Sequence, residues 1–198
     1  MANYYSNLPE GYQEKFVIDV NNDKKWRIYL NFIHPFLLLI FSIIVSLIKD
    51  IEVLGDFLDK EYLLFMIISL VIYLILFFIY VVIHELVHGL FYKIMTKQKL
   101  TFGLTKGVAF CGVPNIYTNR KTALISTLAP FVVFTIIFGL LVIFLPANMW
   151  GFVFVLMLVS HLLGCSCDLY VAYILMFKLP KRALMNDTGP KQTFYVNE

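Results

Sequence analysis

Charged residues are scarce in this sequence. Asp, Glu, Lys and Arg together account for 15% of the 198 residues, whereas a soluble domain carries about 25%. Hydrophobic residues account for 60% of the sequence, and the mean hydropathy is +0.80. Several uncharged runs reach the roughly 20 residues that a helix needs to cross a bilayer. This composition excludes a soluble enzyme and predicts a membrane protein in contact with the lipid bilayer.

Basic runs and paired cysteines are also missing. The formal net charge is +3, and the 16 Lys and Arg residues are spread between the apolar segments. Such a pattern is typical of membrane orientation, and it predicts no nucleic-acid partner. The three cysteines are an odd number, and they provide no disulfide framework.

The apolar runs predict the fold class. They lie at about residues 28–48, 62–88, 122–145 and 150–177, and each is long enough for a transmembrane helix. Between the second and third runs, residues 98–119 contain short alternating stretches and several glycines, which are typical of hairpin-like or irregular structure. We therefore predict an all-α membrane protein with about four transmembrane helices and a Gly-rich, hairpin-like or irregular segment between helices 2 and 3.

The positive charges predict the orientation. One arrangement of the four spans places fourteen of the sixteen Lys and Arg residues on the inner side, as the positive-inside rule requires. The expected organisation is a cytoplasmic N-terminal arm at residues 1–27, a membrane-embedded domain at residues 28–178 and a cytoplasmic tail at residues 179–198. We therefore expect a multi-pass protein of the cell membrane with both termini in the cytoplasm.

Two acidic residues stand out because they lie within the apolar runs. Of the thirteen Asp and Glu residues, only Glu85 and Asp168 fall there, and a carboxylate in a bilayer is costly unless it has a partner or a function. Glu85 belongs to an H-E-x-x-H motif that His84 begins and His88 ends. Residues i and i+4 share one face of a helix, so both histidines can bind one Zn²⁺ while Glu85 acts as general base.

The motif predicts one catalytic zinc ion per chain. The alternative is two unrelated membrane histidines bonded to neighbouring carbonyls. A catalytic zinc has three protein ligands plus water, and Asp168 is the candidate for the third. With a helical rise of about 1.5 Å per residue, His84, His88 and Asp168 fall at similar depths in the cytoplasmic half of the bilayer. A carboxylate that packs helices or relays protons is the alternative for Asp168.

Two further residues share a predicted helical stripe with Asp168. His161, Cys165 and Asp168 are spaced at i, i+4 and i+7, which places them on one face of a helix. Cys165 is a rival zinc ligand, although small residues of this type also serve as packing sites in membrane helices. His161 lies about 10 Å from Asp168 along the helix, and we interpret it as a hydrogen-bond partner of a ligand or as a separately satisfied histidine.

These motifs resemble those of a known family. The H-E-x-x-H motif in one membrane helix, the Gly-rich stretch after it and an Asp within Gly-Cys-Ser-Cys-Asp-Leu-Tyr in a later helix are similar to the bacterial family of putative zincin peptidases. That group is related in layout to the site-2 intramembrane metalloproteases. The resemblance covers roughly residues 62–180, and it implies zinc ligands at His84, His88 and Asp168. It likewise implies the general base at Glu85. Site-2 proteases follow their Asp with Gly and carry a PDZ-like insert, and this sequence has neither feature.

The predicted function is zinc-dependent hydrolysis of peptide bonds in membrane or membrane-proximal proteins near the cytoplasmic face. Residues 101–117 could present an open strand edge to an extended peptide, with Asn115 as a polar contact to substrate or oxyanion. Alternatively, this segment only covers the helix ends. The rival functions are a metal-binding transporter and a non-catalytic accessory protein. Simple ligation does not require the central Glu85, and four spans without an inverted repeat make a poor transporter.

Overall fold

The structure is mainly helical. The computed structural model describes residues 2–20, 22–25, 33–48, 60–105 and 108–197. The helices are α1 (His34–Ile48), α2 (Lys60–Thr96), α3 (Arg120–Phe144), α4 (Met149–Gly164) and α5 (Ser166–Tyr173), and a π-helical turn (Ile174–Lys178) follows α5.

Three helical segments of the described chain are long and apolar enough to cross a membrane. They are Lys60–Thr96, Arg120–Phe144 and Met149–Lys178. Large apolar side chains such as Phe78 and Phe144 are exposed on them, as expected for helices that face lipid. The first predicted span is described only from residue 33 onward, including the 15 residues of α1, because residues 28–32 lie outside the described residues. The fourth crossing therefore stays a prediction.

A β-sheet corrects the prediction of an all-α protein. The strands are β1 (Tyr4–Tyr5), β2 (Tyr12–Asp19), β3 (Thr101–Thr105), β4 (Val108–Gly112), β5 (Tyr117–Asn119), β6 (Leu184–Asp187) and β7 (Lys191–Asn197). Five of them form one sheet in the order β1-β5-β6-β7-β2, and all neighbouring strands in it are antiparallel. The other two, β3 and β4, pair as an antiparallel hairpin, which agrees with the hairpin-like structure expected between helices 2 and 3.

The sheet was not predicted because its strands carry a weak strand pattern. A strand is recognised by strict alternation of apolar and polar residues. In β2, Gln13, Glu14 and Lys15 are exposed in succession, and the register shifts between Glu14 and Phe16. The strand β5 has only three residues and β6 has four. These segments therefore look like a polar arm, loop and tail in the sequence.

The chain folds into two compact units. The first unit consists of residues 1–28, 82–130 and 166–198, and the second unit consists of residues 29–81 and 131–165.

The first unit contains both sheets and their core. Leu184, Met185 and Phe194 from β6 and β7 are each at most 2% exposed. Asn119, the last residue of β5, accepts the backbone N–H of Thr122 with its Oδ1 at 2.8 Å, as an N-cap residue does. The helix α3 therefore begins directly where the sheet ends.

The second unit is a group of packed apolar helices. Its core consists of Val142, Phe152, Val155 and Val159, and α1 packs against α4. The helix α4 begins at an N-cap, Asn148, whose Oδ1 accepts from two backbone N–H groups.

Candidate metal centre

The H-E-x-x-H motif lies in the C-terminal part of α2, within the first unit. This helix is continuous from Lys60 to Thr96, so His84 and His88 lie one turn apart on the same face. Their ring centroids are 4.9 Å apart. The possible ligand atoms of His84, Glu85 and His88 all lie within 4.8 Å of one another. The motif spacing therefore brings three polar groups to one point on the helix.

Asp168 faces both histidines from the first turn of α5. Its Oδ2 lies 3.4 Å from Nε2 of His84 and 3.6 Å from Nε2 of His88. These distances exceed the roughly 2.7–2.9 Å of a charge-assisted hydrogen bond. Around a tetrahedral zinc with bonds of about 2.0–2.1 Å, neighbouring ligand atoms lie about 3.3–3.4 Å apart. The carboxylate oxygen therefore lies at ligand spacing from each of the two histidine nitrogens.

The other ring nitrogen of His88 is bonded to the backbone of α3. Its Nδ1 lies 2.8 Å from the carbonyl oxygen of Ser126. A carbonyl can only accept a hydrogen bond, so Nδ1 carries a proton. Nε2 faces Asp168 from the other side of the ring. Zinc-binding histidines are typically oriented by this kind of carbonyl contact.

Glu85 is half-buried and contacts the hairpin. The backbone N–H of Cys111, in β4, donates a hydrogen bond to the Glu85 carboxylate. Burial, assisted by the nearby carboxylates of Asp187 and Glu85, raises the pKa of the Cys111 thiol to about 12. Cys111 therefore stays a neutral thiol near pH 7.

A further buried carboxylate, Asp187, ties β6 to the motif helix. The hydroxyl of Tyr92, one turn after His88 on α2, donates to Asp187 Oδ2 at 2.7 Å. The backbone N–H of Gly189 donates to Oδ1 at 2.9 Å. Burial raises the pKa of Asp187 to about 6, although these two hydrogen bonds and the nearby His88 oppose the shift.

Three of these supporting residues were not predicted from the sequence. Tyr92 extends the series of residues spaced by four that His84 and His88 begin, and this spacing was a usable signal. Ser126 contributes only its backbone carbonyl. Every residue has one, so the residue type gives no sign of this contact. Asp187 lies in a polar segment outside the apolar runs, where an acidic residue is common and does not indicate a functional site.

His161 and Cys165 lie in the second unit. Nδ1 of His161 is 2.8 Å from the Tyr80 hydroxyl, and Nε2 is 3.1 Å from Oγ1 of Thr135. The Cys165 sulfur is 3.5 Å from the same Nδ1. Their suggested roles beside the metal stay predictions.

Asn115 is exposed in the turn that joins β4 to β5. The side-chain amide of Asn186 donates to the carbonyls of Pro114 at 2.8 Å and Ile116 at 2.9 Å, which fixes this turn to β6. A contact between Asn115 and a substrate stays a prediction.

The donor set of the first unit suits zinc. Zinc binds imidazole nitrogens and carboxylate oxygens, and a catalytic site uses three such ligands and keeps a fourth position open. His84, His88 and Asp168 supply that set, and the proton on Nδ1 of His88 leaves its Nε2 free to coordinate. The residues present therefore fit a three-ligand zinc site.

Comparison with known proteins gives one match. Residues 76–184, more than half of the chain, match a protein family described as "Putative zincin peptidase". This range contains the H-E-x-x-H motif, the hairpin and Asp168. No curated protein and no solved structure matches the chain.

Proposed function

This chain belongs to the family described as "Putative zincin peptidase", and we propose that it is a membrane-embedded zinc metallopeptidase. Its substrates are peptide bonds of membrane or membrane-proximal proteins near the cytoplasmic face. His84, His88 and Asp168 hold one zinc ion per chain, and Glu85 is the general base.

One observation carries this proposal. A single oxygen, Oδ2 of Asp168, lies 3.4 Å from one motif histidine and 3.6 Å from the other. This oxygen lies at about the spacing of a zinc ligand from each ring nitrogen, which supports a metal bound by the carboxylate and the two motif histidines.

The chain's own groups account for the proton transfers. When bound, zinc supplies Lewis acidity that activates water and polarises the scissile carbonyl. A carboxylate oxygen of Glu85 takes the proton of the attacking water and then delivers it to the leaving amine nitrogen. The Cys111 N–H bonded to Glu85 holds the carboxylate in place between these two transfers.

The hairpin offers a place for the substrate. β4 pairs with β3 on one side, and among the described strands none pairs with its other edge. An extended peptide can add to such an edge through backbone hydrogen bonds. Because Cys111 of β4 contacts Glu85, a peptide on this edge would run past the general base.

Glu85→Gln tests the proposal. The amide keeps the shape of the side chain but cannot take a proton, so we expect about one zinc per chain to remain while peptide hydrolysis falls by roughly 10²–10⁴-fold. Glu61→Gln, near the start of the same helix, is the matched control and should keep both properties. Zinc content is measured in purified protein. Hydrolysis is followed by comparing the membrane and secreted proteomes of cells that carry wild type or variant, which also identifies substrates.

Two results would contradict the proposal. Purified wild-type protein that contains no zinc would contradict the proposed metal centre. Unchanged hydrolysis in Glu85→Gln would contradict the role of Glu85 as general base. A transporter or accessory protein would instead show no substrate cleavage in wild type and would lose function mainly when His84 or His88 is replaced.

A further inference from the structure

The Ser126 carbonyl is open to His88 because of a proline four residues later. In an α-helix, each carbonyl accepts from the N–H of the residue four positions on. For Ser126 that residue is Pro130, which lies inside α3 and has no N–H. The helix therefore leaves this carbonyl without its usual donor.

His88 supplies the missing donor. Its Nδ1 lies 2.8 Å from the Ser126 oxygen. His88 is 8% exposed and Ser126 is fully buried, as is Pro130, so the contact is shielded from water. A buried carbonyl is almost always hydrogen-bonded. One hydrogen bond therefore gives the Ser126 carbonyl a donor and the Nδ1–H of His88 an acceptor.

We infer that Pro130 is a positioning residue for the metal centre: by removing one backbone donor, it reserves the Ser126 carbonyl for Nδ1 of His88. The inference rests on the proposed function, since it concerns a ligand of the same site. Without this carbonyl, Nδ1 of His88 loses the contact that fixes the orientation of the ring. The missing N–H therefore helps to hold Nε2 beside Asp168, where it can bind a metal.

Pro130→Ala is the direct test. The variant restores an N–H that competes for the Ser126 carbonyl, while alanine is well tolerated in a helix. In NMR spectra of the zinc-free protein in micelles, we expect the Nδ1–H proton of His88 to resonate downfield in wild type, as in a hydrogen bond to a carbonyl, and to move upfield in the variant. By competition with a chelator, we expect the zinc dissociation constant to rise about tenfold, at the lower end for groups that orient ligands.

Two controls separate the missing donor from other effects. Ser126→Ala removes only the hydroxyl and keeps the backbone carbonyl. The NMR signal of His88 and the zinc dissociation constant should therefore stay at wild-type values. Replacing Pro130 by lactic acid, the α-hydroxy counterpart of alanine, removes the ring but again provides no N–H, so this ester-linked protein should also behave as wild type.

A wild-type Nδ1–H resonance and a wild-type zinc affinity in Pro130→Ala would overturn the inference. An ester-linked protein that behaves like Pro130→Ala would also overturn it, because the ring shape would then be the cause. Failure of the proposed function has a different signature, namely wild-type protein that binds no zinc. The Nδ1–H measurement still decides the role of Pro130 in that case, since it is made without metal.

Discussion

Asp168 is a carboxylate in an apolar segment, and its charge needs a partner there. If it ligates zinc together with His84 and His88, Asp168→Ala removes a bond and the negative charge that offsets Zn²⁺. We expect the zinc dissociation constant to rise by more than about 100-fold, beyond the effect of residues that only orient ligands. Asp168→Asn should lose most of its zinc as well, because a neutral amide is a poor ligand. The measurement is zinc content and affinity of purified protein.

Cys165→Ser is the control for this experiment. A thiolate ligand would be lost in that variant, whereas a small packing residue would tolerate the change with zinc retained. Full zinc in Asp168→Ala together with none in Cys165→Ser would show that the sulfur, not the carboxylate, is the third ligand.

Asp187 makes the stability of the first unit depend on pH. Its pKa is about 6 in the folded protein against about 3.9 in an unfolded chain, so the folded state binds the proton more tightly. The resulting stabilisation is complete below about pH 4 and is lost as the pH rises through about 6. We expect zinc-free wild type to lose on the order of 3 kcal/mol relative to Asp187→Asn between about pH 4 and pH 7. Thermal unfolding in micelles at a series of pH values measures this difference. The prediction is contradicted if the stability of the two proteins changes equally with pH.

The residues of the candidate site differ in how far the sequence reveals them. His84, Glu85 and Asp168 are visible because each is a costly polar group in an apolar run, and the structure brings them to one unit. The carbonyl of Ser126 is invisible because every residue has one. It lacks its helical donor only because Pro130 has no N–H. The importance of this carbonyl can be recognised only when His88 is known to lie beside it. Contacts between distant segments were the missing information.

At the level of the elements, the close approach of β4 to the turn after β6 depends on Gly112. A Cβ there would lie 2.5 Å from the backbone nitrogen of Gly189 and 2.9 Å from the carbonyl oxygen of Asp187. Backbone atoms cannot move aside as flexible side chains do. We expect Gly112→Ala to lower the free energy of unfolding by about 1–3 kcal/mol, as overpacking does. Thermal or denaturant unfolding in micelles measures the change.

Gly139→Ala is the matched control for this prediction. A Cβ at Gly139 meets nothing within 4 Å, and alanine is the better helix former by up to about 1 kcal/mol. Its stability should therefore equal or exceed that of wild type. A Gly112→Ala protein as stable as Gly139→Ala would mean that the strand and the turn can separate without cost.

The helices and the sheet differ in predictability for a physical reason. Each long helix satisfies its backbone internally, so a run of apolar residues is enough to specify it. A strand such as β5 depends on partners 65 or more positions away, as the Thr118 hydroxyl bonded to the carbonyl of Met185 illustrates. Short segments of this kind carry no local signal strong enough to identify the pairing.

For the molecule as a whole, the sheet restricts how the chain crosses the membrane. β1 pairs with β5, and β2 pairs with β7, and strands can pair only on one side of a bilayer. The chain must therefore cross an even number of times between β2 and β5. Within the described part of that interval, only α2 is long enough to span by itself. We expect the second crossing at residues 28–48, which include α1.

Reporter fusions test this topology. Reporters placed after Asn119 and after Glu198 should read cytoplasmic, and one within residues 50–61 should read external, in agreement with the positive-inside rule. A cytoplasmic reading within residues 50–61 would mean that α1 does not cross. An external reading after Asn119 would place the metal centre on the opposite face.

The pairing of β2 with β7 also sets an order of events during synthesis. Asp19 pairs with Lys191, so the ribosome must add about 170 residues after the first strand before its partner exists. At about 5–20 residues per second this takes roughly 10–30 s. Asp187, which holds Tyr92 beside the motif, emerges equally late. The nascent chain therefore inserts its helices first, and it completes the five-stranded sheet and the bond between Tyr92 and Asp187 only when translation is nearly finished.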